Sequence, residues 1–285
     1  MKIIGNEDSQ MRVTFDSFGE FLKYVKETPR HDGAGDSSTR ITAKDKWDLS
    51  CGWDGAFELA NRGWSKGLDK MSKARSLVNI PEHSDQSMQM KPFNEVSGDE
   101  VDVGMYLTGE PECMIDYQLR LTPSYGKVAK VIVNCSASCN VNSGIMFRRG
   151  AAACILIDAL ESAGVRCEVW TMPMVTESRK TQFTSEVLVK KADQHLEPDR
   201  LAFMLAHPAV LRRLGFALLE KFGGAMASMS MAAYGHCLEL PKDEQNEDGT
   251  IYFKDQCSGY STDKEMILTV NELLAKYVET DMAVA

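Results

Sequence analysis

Residues 128–133, Val-Ala-Lys-Val-Ile-Val, form a β-branched run that stops at the small-residue turn Asn134-Cys135-Ser136-Ala137-Ser138. A short apolar run closed by such a turn is the pattern of a buried strand. A helical stretch from about Ser143 to Ala163 follows, with Ile145, Ala152, Ile155, Leu156, Ala159 and Leu160 on its inward side and Gly164 placed to end it. Arg166–Met172 then reads as a second strand. Strand, long helix and strand in immediate succession specify a βαβ unit with a right-handed crossover. The expected fold class is therefore α/β. A mostly parallel, Rossmann-like sheet with helices on both faces occupies 98–285, preceded by a smaller, mainly helical region with loops over 1–97.

The remaining segments are placed around that unit. Asp16–Lys26 reads as a helix capped by Asp16 or Ser17, with Glu20 reaching back and Phe18, Phe21, Leu22 and Val25 on one stripe. Residues 29–45, rich in Gly, Ser and charge, are expected to be a mobile loop. Trp53–Trp64 and a second helix carrying Leu68, Met71, Ala74 and Val78 form a helical hairpin, and the polar stretch 81–100 connects the two halves. Ser185–Lys191 is expected as a third strand, followed by helices at Pro198–Ala206 and Pro208–Phe222, short strands at Gly235–Leu240 and Thr250–Lys254, and a last helix at Asp263–Glu279 behind a Thr262/Glu265 capping box.

Composition narrows the function. No apolar run approaches the roughly 20 residues of a membrane-spanning helix, and the N-terminus lacks the pattern of a signal peptide, so a cytoplasmic protein without membrane partners is expected. Eight cysteines occupy helix-like and strand-like settings rather than a compact disulfide framework, which fits reduced thiols. A net charge of −9 disfavours unspecific binding along a nucleic-acid backbone. The 16 methionines suit irregular core packing or adaptable partner surfaces.

In open α/β sheets, ligands bind beyond the carboxyl ends of the strands. That position holds Asn134, Ser136 and Ser138, with Arg148 and Arg149 on the following helix. The guanidiniums can meet a phosphate or a partner carboxylate, or else pair with Glu110 or Glu112 of the turn Gly109-Glu110-Pro111-Glu112. Most enzyme signatures are missing: there is no P-loop, no Gly-x-Gly-x-x-Gly, no His-Glu-x-x-His and no Gly-x-Ser-x-Gly. Cys135 and Cys139 lack a second ligand pair for zinc, and His207 before Pro208 reads as a helix-initiating residue rather than a base.

The strand, the turn Asn134–Ser138, the helix and the second strand resemble the von Willebrand factor A family, whose turn is Asp-x-Ser-x-Ser. That resemblance implies a metal-ion-dependent adhesion site, usually holding Mg²⁺, in which Ser136 and Ser138 match the two serines and Asn134 stands where the family has Asp. The lost charge puts metal binding in doubt, because Mg²⁺ favours anionic oxygen ligands. Trp53–Gly67, Val103–Met114 and Arg148–Ala152 also resemble a group of uncharacterised bacteriophage-encoded proteins. This second resemblance implies phage origin and a place in the host cytoplasm, and it brings no activity.

Three functions compete. The first is a non-enzymatic interaction or assembly factor that presents Asn134, Ser136, Ser138, Arg148 and Arg149 to a phage or host protein and needs no cofactor. The second is a single-stranded nucleic-acid binder in which Trp53 and Trp64 stack on bases while Arg62, Lys66, Lys70, Lys73 and Arg75 meet phosphates. The third is a metal-dependent hydrolase built on Ser136, Ser138 and acids from Glu110 or Glu112.

Overall fold

The computed structural model describes residues 1–40, 47–78, 86–123, 128–178, 180–245, 247, 249–254 and 260–282. In chain order it begins with strands β1 (Lys2–Gly5) and β2 (Gln10–Phe15), then helices α1 (Phe18–Glu27), α2 (Gly52–Arg62) and α3 (Ser65–Arg75). Strands β3 (Gln86–Glu95) and β4 (Glu100–Val101), helix α4 (Val103–Thr108) and strand β5 (Met114–Pro123) follow. The βαβ unit is β6 (Val128–Asn134), α5 (Ser143–Ser162) and β7 (Arg166–Met172), succeeded by β8 (Val175–Ser178) and β9 (Thr181–Lys190). Helix α6 (Pro198–Ala206), a π-helical turn (Val210–Gly215) running into α7 (Phe216–Leu219), and α8 (Gly224–Met231) come next. Strand β10 (His236–Cys237), the short α9 (Lys242–Gln245), β11 (Thr250–Phe253) and α10 (Asp263–Met282) complete the described chain.

The βαβ unit forms as its sequence dictates. Asn142 caps α5 by accepting the Ile145 amide at 2.9 Å. Gly164 ends the helix region at φ +86°, where the Val165 amide closes back on the Leu160 carbonyl at 2.9 Å. Strands β6 and β7 then pair in parallel, from Val128 against Arg166 to Asn134 against Met172.

The main sheet has the order β1-β2-β9-β7-β6-β11, with β8 and β10 continuing beside β9. It is mixed rather than mostly parallel. Strands β2 and β9, β6 and β7, and β6 and β11 are parallel, whereas β1 and β2, β7 and β9, β8 and β9, and β8 and β10 run antiparallel. The third strand returns antiparallel because only eight residues, 173–180, separate β7 from β9, and β8 (Val175–Ser178) is the described element among them. A parallel return needs a crossover of about a dozen residues or more.

Among the described helices, α1, α5, α6 and α10 pack on one face of this sheet, and the short α9 lies at the other. Val13 and Phe15 of β2, Val131 and Val133 of β6, Val169 of β7 and Ile251 of β11 share one core with α1, α5, α6 and α10. On the opposite face Ile132, Met172, Val175 and Leu240 form a small cluster flanked by Trp170, Leu238 and Tyr252. Beyond that cluster Arg12 lies across the face to meet Glu186 and Glu244.

Two further readings are corrected. The region expected to be mainly helical opens with two strands, β1 and β2: Met11, Val13 and Phe15 alternate inward with polar neighbours outward. The stretch expected as a polar connection contains β3, which pairs with β5 along its whole length in a second, three-stranded sheet ordered β3-β5-β4. Both sheets therefore draw strands from either side of residue 97.

Candidate functional site

The turn after β6 is built inward. Asn134 is fully buried. Its Nδ2 donates to the Leu238 carbonyl and to Tyr252 Oη, both at 3.1 Å, and its Oδ1 accepts the Ser136 amide at 3.0 Å. Ser136 is buried as well, with its Oγ accepting the Val175 amide at 2.6 Å and its carbonyl accepting from Arg149 Nη1 at 2.9 Å. Only Ser138 of the three turn residues reaches solvent. Arg149 is held behind the turn. Arg148 points to the start of α10, where it meets Asp263 Oδ1 at 2.8 Å and the Tyr260 carbonyl at 3.4 Å rather than Glu110 or Glu112.

This donor set does not fit Mg²⁺. The oxygens of Asn134 and Ser136 already accept backbone amides, and no carboxylate stands at the family's acidic position. Among the described residues no group of three His, Cys, Asp or Glu side chains could hold a metal ion.

The residues considered for nucleic acid separate. Trp64 is buried edge-on against His207 and Phe147, at ring-centroid distances of 4.5 and 5.6 Å, so it offers no free face for a base. Trp53 packs on Phe57 at 4.9 Å. Arg62 pairs with Glu58 one turn earlier, Arg75 pairs with Asp158, and Lys70 lies over the Phe147 ring. Lys66 is exposed, and the Lys73 side chain lies outside those described.

A buried polar network was not anticipated. Arg213 Nε meets Asp48 Oδ2 at 2.7 Å, and its Nη1 donates to the carbonyls of Ser38 and Arg40 at 2.9 and 3.0 Å. Glu220 accepts the Ser38 amide at 2.9 Å, the Ser38 hydroxyl, and the Tyr234 hydroxyl. Ser230 Oγ accepts the Gly35 amide at 2.8 Å. These bonds pin residues 35–40, the described end of the segment expected to be a mobile loop; residues 41–45 lie outside the described residues. Burial, then the hydrogen bond to Glu220, pushes the Tyr234 hydroxyl well above its ordinary range, so it remains a neutral donor. The partners are too far apart in sequence for any local pattern to show them.

His207 caps the turn that follows it, its Nδ1 accepting the Ala209 amide at 3.1 Å. Burial lowers its pKa to about 4, against a smaller opposing pull from Asp48. The seven described cysteines are free thiols, and burial raises Cys154 and Cys167 to about 12. Cys135 is buried while Cys139 is exposed, and Cys257 lies outside the described residues.

The described side chains of the second sheet and α4 are set apart by their exposure. None of residues 92–118 is buried. Val96, Val101, Val103, Tyr106, Leu107 and Tyr117 are all exposed, with Leu107 at 77%. Helix α4 is held by Asp102, which accepts the Met105 amide at 3.1 Å, and ends at Gly109 with φ +78°. Val103, Tyr106 and Leu107 are spaced i, i+3 and i+4, which makes them one stripe on that helix.

Fold and surface together define a mixed α/β protein that carries a second, three-stranded sheet, exposed over 92–118, besides its main sheet. Among the described residues no single helix is long and apolar enough to cross a membrane. A family model described as a domain of unknown function (DUF7192) matches residues 3–278, and the chain belongs to that family. No curated protein and no solved structure matches it.

Proposed function

We propose that the protein is a non-enzymatic protein–protein interaction or assembly factor whose contact surface is the β4–α4–β5 region, not the turn after β6. One observation carries this reading: 27 consecutive residues, 92–118, form strands and a helix without a single buried side chain. Large apolar side chains left in water forgo about 1.5–3 kcal/mol each relative to full burial. A sheet of three strands needs an apolar face covered to be stable. Exposed apolar side chains gathered on one short helix and its flanking strands mark a surface that a partner completes. The stripe Val103, Tyr106 and Leu107 supplies side chains of the kind that anchor interfaces, Tyr above all.

A von Willebrand A-like reading of the main sheet draws support from β6, its serine turn, α5 and the parallel β7. In that reading the turn is a structural corner, since the Asn134 and Ser136 side chains bond within the fold, and the adhesion role passes to the second sheet. A phage origin would place the partner among phage or host proteins.

The test uses the full chain as bait in phage-infected and uninfected lysates, beside a Val103→Ser/Tyr106→Ser/Leu107→Ser variant. A partner retained by the wild type and lost by the variant, with an unchanged melting temperature, is the expected result. Equal retention by both proteins, or by neither, overturns the proposal.

A further inference from the structure

We infer that the partner presents a basic, amphipathic segment of protein to this surface, an inference that rests on the reading just given and adds the partner's chemistry. Residues 92–118 contain seven Asp and Glu and no Lys, Arg or His. The whole chain carries a net charge of −9, so this stretch holds most of the excess and leaves the rest of the chain near neutrality. The acids are interleaved with the exposed apolar residues. Glu100 precedes Val101, Asp102 precedes Val103, and Glu110 and Glu112 follow the α4 stripe.

Some of these carboxylates serve the local fold. Asp102 caps α4, Asp116 accepts the Tyr117 amide at 2.8 Å, and Glu100 meets Tyr117 Oη at 3.3 Å. Glu95, Asp99, Glu110 and Glu112 have no ion-pair or hydrogen-bonded side-chain partner among the described residues. In sequence they flank the apolar stripe on both sides with negative charge, and electrostatic complementarity then selects a partner with Lys or Arg flanking apolar residues.

The same charge disfavours the other occupants of an exposed apolar face. A symmetric contact with a second copy would set acids against the same acids. Anionic headgroups and nucleic-acid phosphates would be repelled, because both are drawn to basic surfaces. A helix or strand of alternating basic and apolar residues satisfies the charge and the apolar stripe together.

Fluorescence anisotropy with two labelled model peptides tests this. One is an amphipathic Lys/Leu peptide, the other the same pattern with Glu for Lys. Phosphatidylserine vesicles, a single-stranded oligonucleotide and sedimentation of the protein alone complete the comparison. The Lys/Leu peptide is expected to bind the full chain, and the triple variant Asp99→Asn/Glu110→Gln/Glu112→Gln to weaken it by about tenfold or more, as does raised salt. The serine variant of the α4 stripe is expected to lose binding, which separates a specific site from general attraction to an acidic protein. Binding of the Glu/Leu peptide, vesicle or oligonucleotide in preference, self-association through this face, or Lys/Leu binding indifferent to both variants would overturn the inference. If lysate capture depends on Val103, Tyr106 and Leu107 while the Lys/Leu peptide fails to bind, the basic chemistry falls and the contact surface stands.

Discussion

Asn134 shows how one side chain redirects a motif. In the sequence it stands at the head of an Asn-x-Ser-x-Ser turn that resembles a cation site, and nothing local reveals where its amide points. In the fold, Leu238 and Tyr252 arrive from distant segments to accept both of its N–H groups, a pairing that a carboxylate could not make. Residue type and position were legible; orientation depended on long-range partners. His207 is the other residue whose environment has a measurable consequence. Its folded pKa of about 4 lies below the ordinary value of 6.5, because burial disfavours the charged ring. The unfolded chain therefore takes up a proton between those two values that the folded chain refuses, and stability falls as pH drops through that window. The loss reaches about 3 kcal/mol and levels off below the folded pKa. Urea unfolding at pH 7.5 and pH 4.5, for wild type and for His207→Asn, checks this. Asn keeps an acceptor for the Ala209 amide without titrating, so the wild type should lose about 2–3 kcal/mol more than the variant over that interval. Equal losses would show that His207 is solvated.

At the scale of elements, signals held within one segment were reliable. The Ser17/Glu20 cap of α1, the Thr262/Glu265 cap of α10 and the Gly164 stop after α5 all take the form that their spacing implies. Strand direction was less legible, because β9 reads as apolar whichever way it runs, and only the shortness of residues 173–180 decides the matter. The alternation of Met11, Val13 and Phe15 was present in the sequence and marks a half-buried strand, but the run is short and abuts a strong helix signal. The contact between α5 and α6 is set by one glycine. A Cβ on Gly150 would lie 2.1 Å from the Leu205 carbonyl oxygen and 2.3 Å from Ala206 Cα, both backbone atoms that cannot swing aside. Gly150→Ala is therefore expected to destabilise the fold by about 1–3 kcal/mol through overpacking, outweighing the helix-propensity gain of about 1 kcal/mol that Ala brings elsewhere. Gly19, at an open position in α1 with nothing within 4 Å of an added Cβ, is the control, and Gly19→Ala should be neutral or stabilising. Chemical denaturation of the two variants decides the point; a stable Gly150→Ala protein would mean that the helices can separate without cost.

For the whole molecule, the two sheets answer to different physics. The main sheet buries Val131, Val133, Val169 and Phe183 against helices, so its amides open only when the core does. The β3–β5–β4 sheet has backbone pairing along ten residues of β3 but no buried side chain over 92–118 to hold that pairing in place. Hydrophobic patterning did not announce this sheet from sequence, because over 92–118 its residues do not alternate between core and solvent. Its stability should accordingly be local and low. Native-state hydrogen exchange at rising urea, read by mass spectrometry, is expected to show peptides covering 92–118 exchanging through openings of small urea dependence, well before peptides covering β6 and β7. Addition of a partner that covers Val103, Tyr106 and Leu107 should slow exchange in 92–118 and leave β6 and β7 unchanged, because binding that orders a segment raises its protection by the free energy of the complex. If the two sheets exchange together at every urea concentration, the second sheet belongs to the same cooperative unit as the core. Its exposed apolar residues would then be tolerated by the fold rather than reserved for a partner.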